Sequence, residues 1–471
     1  MPPFRAAEAR ATPLVALLLA PLLLLLAACG SRLPERAFET RPTAHPSGGE
    51  PLRVGIITSV TSPVGGQAFT GPRDGARAYF DALNARGGLD GRRIEVETCD
   101  DGGSGVGNNA CVHRLVDERR VFALVATTAL NYAGAPLVAR AGVPDIGGQP
   151  LTPAYDTYPH LYGIYGSSAP RTGKEPGWGG TLYGGTEVYR WFAQERGART
   201  AAVVSYNQAA SAGYARLVTR GLRAEGYRVV EEQVDFALPN FRAVAADLRA
   251  QHVDVLFDAM DTHGNVRLCE AMQSLGVTVD AKVTNVQNWS SSVAREYARA
   301  PGCRQALWVT GASRNHQDTG SPAVREFRAA MGDRPLSQWQ LEGWAAAMWF
   351  TDAARSCLAG SGSGSGSGGG GGPGEGGSRP GGDGSGPGGG GSGPGGGGGL
   401  TRACVERYLN RPEPYTARGL LLPVRYEHLA RPPATRNTCL SVARWQDGRG
   451  WVSQGEMTGN CATVPQLGYR P

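Results

Sequence analysis

The sequence predicts an α/β protein of two lobes, each built around a parallel sheet. Three observations carry this. Short β-rich apolar runs alternate with segments of helical period from Leu52 onward, and strands alternating with roughly 10–15-residue helices are the mark of βαβ units and a parallel sheet. The stretch Tyr162–Gly185 breaks the alternation with Gly, Pro and Tyr, as a crossover between lobes would. With 471 residues and 41% hydrophobic side chains, the chain can bury a sizeable core, and at ~150 residues per domain its length predicts about three domains, or two large ones.

The elements follow in chain order. Arg5 and Arg10 form a positive start, and Leu14–Leu26 is a Leu-rich run of 13 residues. That run is shorter than the ~20 residues a spanning helix needs, so residues 1–28 read as a removed signal segment. The sequence Leu26-Ala27-Ala28-Cys29 resembles the lipobox of bacterial lipoproteins, in which cleavage precedes the Cys and the Cys is acylated. That resemblance implies lipidation at Cys29, membrane lipid as a partner, and a place on the extracytoplasmic face of the cell membrane. The alternative is an ordinary secretory signal with a chance Cys. Residues 29–51 are polar and rich in Pro, Ser and Gly, a flexible tether.

Leu52–Thr58 is a buried-strand run. In Gly71–Arg86, Ala76, Tyr79, Phe80 and Leu83 fall at i, i+3, i+4 and i+7 of a helix that Gly87-Gly88 stops. Ile94–Thr98, Val121–Ala126 and Val143–Ile146 continue the strands, with helices at Asn109–Glu118 and Ala133–Ala141. The second lobe repeats the theme. Its strands are Ala201–Ser205, Arg228–Val234, Val253–Ala259 and Ala281–Asn285, and Ala306–Thr310 follows them. Its helices are Gly184–Arg196, Ser211–Glu225, Phe241–Gln251, Asn265–Leu275 and Ser292–Ala298. Leu336–Leu358 predicts a long amphipathic helix.

Of the 70 Gly, 26 lie between Gly360 and Gly399. Such a Gly, Ser and Pro tract cannot bury a core and is expected to be disordered. Closing a 40-residue loop costs about 3.3 kcal/mol, so a surface insertion is tolerable. Beyond it, Arg418–Tyr426 and Cys439–Trp445 look like strands completing the preceding sheet, and Asp447-Gly448 like a hairpin turn. The expected division is 52–165 plus 306–415 for the first lobe and 166–305 plus 416–471 for the second, with 360–399 inserted in the first.

Setting Cys29 aside leaves Cys99, Cys111, Cys269, Cys303, Cys357, Cys404, Cys439 and Cys461. An even number in an exported chain implies disulfides, although eight cysteines allow roughly a hundred pairings. Sequential pairing is the working expectation. No C-x-x-C occurs, which removes thioredoxin-like and zinc-ribbon readings.

Val54-Gly55-Ile56, Thr61-Ser62-Pro63-Val64-Gly65-Gly66, Gly71, Asn84-Ala85-Arg86-Gly87-Gly88-Leu89-Asp90-Gly91-Arg92, Glu95 and Asp100-Asp101 form a distinctive series. It resembles the first lobe of the type I periplasmic-binding-protein fold, in its branched-chain amino-acid-binding branch, the receptors of ABC transporters. The resemblance covers Leu52–Cys357 and, more weakly, Leu400–Val452. It implies two Rossmann-like lobes with parallel sheets joined by crossover hinges, closing on a small-molecule solute and docking on permease subunits in the membrane. It also implies a bridge between Cys99 and Cys111.

Open α/β sheets bind ligands beyond the carboxyl ends of their strands, which selects the same loops. In Ser59–Thr70, Gly65-Gly66 permits close approach of backbone to ligand, and Phe69 either covers a ligand or joins the core. In the resembled family the loop after Val125 grips a carboxylate; here it offers Thr127, Thr128 and Asn131, which could equally be helix caps. Gln149 follows the next strand and can donate and accept. In the second lobe Tyr206 and Ser211 flank a strand-to-helix turn. Asp261 is either an ammonium ligand or a cap. Asn285–Trp289 lies where related receptors place an acid; this chain has Gln287 and Asn288 there, with Trp289 as a possible pocket wall.

Net charge is +6, and of the 47 Lys and Arg only Lys174 and Lys282 are lysines. The bias fits a GC-rich genome rather than nucleic-acid binding, and no basic stripe with interleaved aromatics occurs. There is no G-x-S-x-G, H-E-x-x-H or Walker A motif, and no helical i, i+4 His pair. The expectation is a non-enzymatic solute receptor with no cofactor or metal, for an amino acid, amide or urea-like solute. The alternative is a receptor-like sensor or surface interaction lipoprotein that keeps the fold without transport.

Overall fold

The computed structural model describes residues 49–361 and 399–471. The signal segment, Cys29, most of the tether and nearly all of the 360–399 tract lie outside them. Two larger sheets organise the chain. The first is parallel throughout, in the order β2-β1-β3-β4-β5. Its strands are β1 (Leu52–Thr58), β2 (Ile94–Asp100), β3 (Ala123–Val125), β4 (Asp145–Gly148) and β5 (Leu161–Gly163), with helices α1 (Thr70–Ala85), α2 (Gly105–Val112) and α3 (Ala135–Arg140) between them.

The turn from α1 into β2 explains the N-A-x-G-G motif. Asn84 acts as a backbone substitute at the sheet's edge: its Nδ2 donates to the Ile94 carbonyl and its Oδ1 accepts from the Ile94 amide, both at 2.8 Å. Gly88 has φ +77°, and a Cβ there would collide with the Arg92 carbonyl. Asn84→Ala leaves both Ile94 groups seeking water at a half-buried site. It is expected to cost about 1–2 kcal/mol, read by chemical denaturation.

The chain then crosses over. β6 (Leu182–Gly184) leads to α4 (Glu187–Glu195), β7 (Thr200–Tyr206), α5 (Ala209–Ala224), β8 (Arg228–Val234), α6 (Phe241–Ala250), β9 (Val255–Ala259), α7 (Thr262–Ser274) and β10 (Ala281–Thr284). Two short helices, α8 (Val293–Glu296) and α9 (Pro301–Gln305), precede β11 (Leu307–Gly311). The rest is α10 (Pro322–Met331), α11 (Gln338–Ser361), α12 (Arg402–Leu409), β12 (Thr435–Cys439), β13 (Ser441–Gln446), β14 (Gly450–Ser453), β15 (Cys461–Pro465) and β16 (Leu467–Tyr469). The second sheet runs β14-β13-β11-β10-β9-β7-β8. It is parallel from β8 to β11 and antiparallel where β13 and β14 are added.

Four expectations need correction. Residues 306–311 belong with the second sheet, not the first lobe: β11 pairs with β10 on one side and β13 on the other. The crossover therefore follows Gly311. Residues 416–426 belong with the first lobe, because Leu420, Leu421, Val424 and Tyr426 pack into its core beside Trp349 and Ile164. That segment is also no strand: it contributes isolated bridges, Tyr415 to Val424, Ser313 to Leu421 and Ser167 to Tyr426. Finally, α11 is not amphipathic along its first half. Every residue from Leu341 to Phe350 is buried, because α1 flanks it on one side and β4 on another. A helix apolar all round belongs inside a core.

The disulfides join Cys99 to Cys111, Cys269 to Cys303, Cys357 to Cys404 and Cys439 to Cys461. Among the described residues, no helix is long and apolar enough to cross a membrane.

Candidate functional site

The ends of β9, β10 and β11 point toward the crossovers, and a cavity of about 620 Å³ lies against them. Aliphatic and aromatic groups supply most of its lining: Phe257 and Val283 from the sheet, Tyr189 from α4, Tyr214 and Val218 from α5, and Leu422–Val424 and Tyr165 from the crossovers. Polar side chains line the rest, among them Glu187, Asp258, Thr284, Asn285, Arg436 and Asn437. Glu187 opens α4, where the helix macrodipole favours an acid. Its carboxylate bonds its own backbone amide, yet Oε2 is buried without a partner, as is Oγ1 of Thr284. Burial raises the Glu187 pKa, against the pull of its own amide and of Arg436. Arg436, exposed on β12, also lines the cavity. Two buried oxygens with no donor in an aromatic and aliphatic chamber suit a ligand that brings an N–H or O–H.

The cavity is wired to the hinge. The Tyr165 hydroxyl donates to both oxygens of Glu342 on α11, at 3.1 and 3.0 Å. Glu342 also accepts from Gln149 Nε2 (2.8 Å) and Ser313 Oγ (2.6 Å). Ser313 in turn accepts from Gln338 Nε2 at 2.7 Å. Gln338 Nε2 also donates to the Arg314 carbonyl, so its Oε1 is the acceptor for the His316 backbone amide and for His316 Nδ1, which must carry the ring proton. The Gln338 amide donates to the Trp289 carbonyl at 2.8 Å. One hydrogen-bonded chain thus spans both lobes and two crossovers. Burial dominates its titratable members: it pushes Glu342 up to about 7 and His316 down to about 3.

None of the ten residues singled out from the sequence lines this cavity. Phe69 is buried and stacks on Trp339, 5.7 Å between centroids, so it is a core residue. Thr127 is buried, and its carbonyl accepts from the Gln149 amide. The Thr128 hydroxyl donates to the Ala126 carbonyl, while Asn131 is exposed. Gln149 is buried in the hinge network. Ser211 Oγ accepts from the Tyr206 amide and donates to the Ala259 carbonyl, tying α5 to β9. Asp261 caps α7 through the Gly264 amide and accepts from the Tyr206 hydroxyl. Asn288 accepts from Thr262 Oγ1 and donates to Asn285. Trp289 is fully buried against Trp451 and His316. At Gly65, φ +66°, a Cβ would collide with Gln287, so the loop after β1 meets the loop after β10 directly.

Tyr165, Glu187, Thr284 and Glu342 were not singled out from the sequence. Only Glu342 carried a readable signal, an acid set among Leu341, Trp344 and an Ala-rich apolar run.

A family model described as periplasmic binding protein matches residues 51–366. No curated protein matches the chain. Solved structures do: an ABC-transporter substrate-binding protein from Aeropyrum pernix (TM-score 0.63, 12% identity, 88% of this chain and 96% of that one). A leucine-binding protein from Thermotoga maritima is also similar (TM-score 0.60, 12% identity, 88% and 99%). So is a solute-binding protein of R. palustris in complex with benzoate (TM-score 0.58, 13% identity, 88% and 97%). At these identities the structures speak for the fold. The family match covers about two thirds of the sequence, and the chain belongs to the periplasmic binding protein family, extracytoplasmic ligand binders rather than enzymes.

Proposed function

We propose that the chain is the solute receptor of an ABC importer, held at the extracytoplasmic face of the membrane by acyl chains on Cys29. The cavity beneath the crossovers takes a small organic solute. The observation that carries this is the chamber itself. At about 620 Å³ it falls within the ~300–1,000 Å³ typical of small-molecule sites, and it combines aromatic and aliphatic walls with polar side chains that can orient a ligand. An amino acid, amide or urea-like solute brings the N–H groups that Glu187 Oε2 and Thr284 Oγ1 lack. Solute contact with Tyr165 would be felt at Glu342 and so at the hinge, which is how occupancy would reach the lobes.

The test is a thermal-shift screen of the purified, disulfide-intact protein against amines, amides, ureas and aromatic acids. Expected is a saturable rise with one N–H-bearing class, following RT ln(1 + [L]/Kd). Thr284→Val keeps the shape and removes the acceptor, and should weaken that ligand by about tenfold. A cooperatively unfolding protein that answers to none of these classes overturns the reading.

A further inference from the structure

A second cavity, of about 630 Å³, lies on the first lobe among the end of the β4–β5 connection, α12 and two crossover segments. No residue lining it lines the solute chamber. Three arginines, Arg171, Arg411 and Arg425, line it with two histidines, against Glu406 and Glu427. Glu406 is already engaged by His160 Nδ1 at 2.5 Å, and Glu427 is exposed.

Arg171 is the unusual member. It is only 5% exposed, and its guanidinium packs against the edge-to-face pair Tyr162 and Tyr426, 5.0 and 4.4 Å from their centroids. Nη1 donates to the Leu161 carbonyl (2.6 Å) and Nη2 reaches Asn410 Oδ1 (3.5 Å). Nε is buried with no acceptor. Among the described residues no carboxylate stands within ion-pair distance. The carboxylate that acts on it electrostatically, Asp156, is hydrogen-bonded by Ser167. An arginine stays charged wherever it is put. Burying one with no carboxylate in direct contact is costly, and aromatic faces offset only part of that cost. The backbone is held in an unfavourable region at this place too: Arg171 (φ +48°) and His160 (φ +66°) are both left-handed and neither is glycine. Strain of this kind persists where surrounding structure over-determines it, and it clusters at ligand clamps.

We propose that this cavity is an oxyanion site, which takes a phosphate or carboxylate group as the missing counter-charge of Arg171. A planar guanidinium fork with a free Nε suits such an anion, and Arg411 and Arg425 add positive charge around it. The group could arrive on a free small molecule or on an anionic lipid headgroup, and the experiment separates the two.

Inorganic phosphate and citrate are titrated calorimetrically into the purified protein at constant ionic strength, balanced with chloride. Phosphatidylglycerol vesicles form a parallel arm, with phosphatidylcholine vesicles as control. Expected is saturable binding in one arm, weakened about tenfold in Arg171→Gln by loss of a charge-assisted bond. Arg425→Gln is the safer variant because Arg425 is exposed; it should weaken binding about threefold at an unchanged unfolding temperature. Saturation by phosphate or citrate identifies a soluble anion; saturation by phosphatidylglycerol alone identifies a headgroup. No saturable binding in either arm, or binding that both variants leave untouched, overturns the proposal. Neither result bears on the solute chamber.

Discussion

Glu342→Gln is expected to stabilise the protein at pH 8 by about 3 kcal/mol and to do almost nothing near pH 4.5. The reasoning starts from burial. Glu342 is fully buried, its neighbours are neutral donors, and no cation pairs with it. Burial is the largest influence and lifts its pKa from 4.5 to about 7, although the bonds from Ser313, Gln149 and Tyr165 pull the other way. Below about pH 4.5 the carboxyl is protonated in both folded and unfolded chains and contributes nothing. Between there and pH 7 the unfolded chain ionises first, so stability falls as pH rises. Above 7 the whole penalty stands, and a rise from 4.5 to about 7 corresponds to about 3 kcal/mol. Glutamine copies the shape of the protonated acid and never ionises. His316, held neutral with its pKa lowered to about 3, contributes in the opposite sense: its share is lost as pH falls below about 6.5. Asp145, raised to about 6 chiefly by burial, sides with Glu342. For that reason the quantity to measure is the difference between variant and wild type at each pH, in which both other groups cancel. A difference that is the same at pH 5 and pH 8 would show that Glu342 does not titrate as its surroundings require.

The network around Glu342 also marks where sequence reading stops. What local pattern encodes was legible: the strand at Leu52–Thr58, the helix after it with Tyr79, Phe80 and Leu83 inward, the Asn84 turn and the βαβ alternation of both lobes. Sheet membership was not. Leu307–Gly311 is a short apolar run that would read the same in either sheet, and only its pairing with β10 and β13 decides. The same holds for Leu420–Tyr426, whose apolar side chains look strand-like but are used to pack on the first core. For the site, the sequence located the strand-end loops. It could not say which hydroxyls were already spent on neighbouring backbone, as those of Thr128 and Ser211 are. It could not see Tyr165 either, because a crossover has no period that places its side chains, and Glu187 in the first turn of α4 reads like any acid at a helix start.

Lys282→Met should be the most damaging of the substitutions considered, costing about 3–5 kcal/mol, the range for removing one partner of a buried ion pair. Lys282 is in the middle of β10, and both it and Asp258 of β9 have side chains with no exposure. Nζ donates to Asp258 Oδ2 at 2.7 Å and to Asn265 Oδ1, while Asn265 Nδ2 donates to Asp258 Oδ1 at 2.9 Å. The three side chains satisfy one another across two strands and α7. Methionine fills the same volume but leaves Asp258 as a buried charge with only an amide beside it. Asp258→Asn alone strands the ammonium instead. The double variant Lys282→Met, Asp258→Asn removes both charges at once, and replacing a buried pair by neutral groups is often close to neutral. It should therefore recover most of the loss, a coupling that a double-mutant cycle reads directly. Asp258 also lines the solute chamber, which gives the cycle a second use. Since both its oxygens are occupied from within the lobe, the double variant should keep solute affinity within about threefold. Recovered stability with lost affinity would instead make Asp258 a solute contact, and independent, additive losses would show that the triad is not the unit its geometry describes.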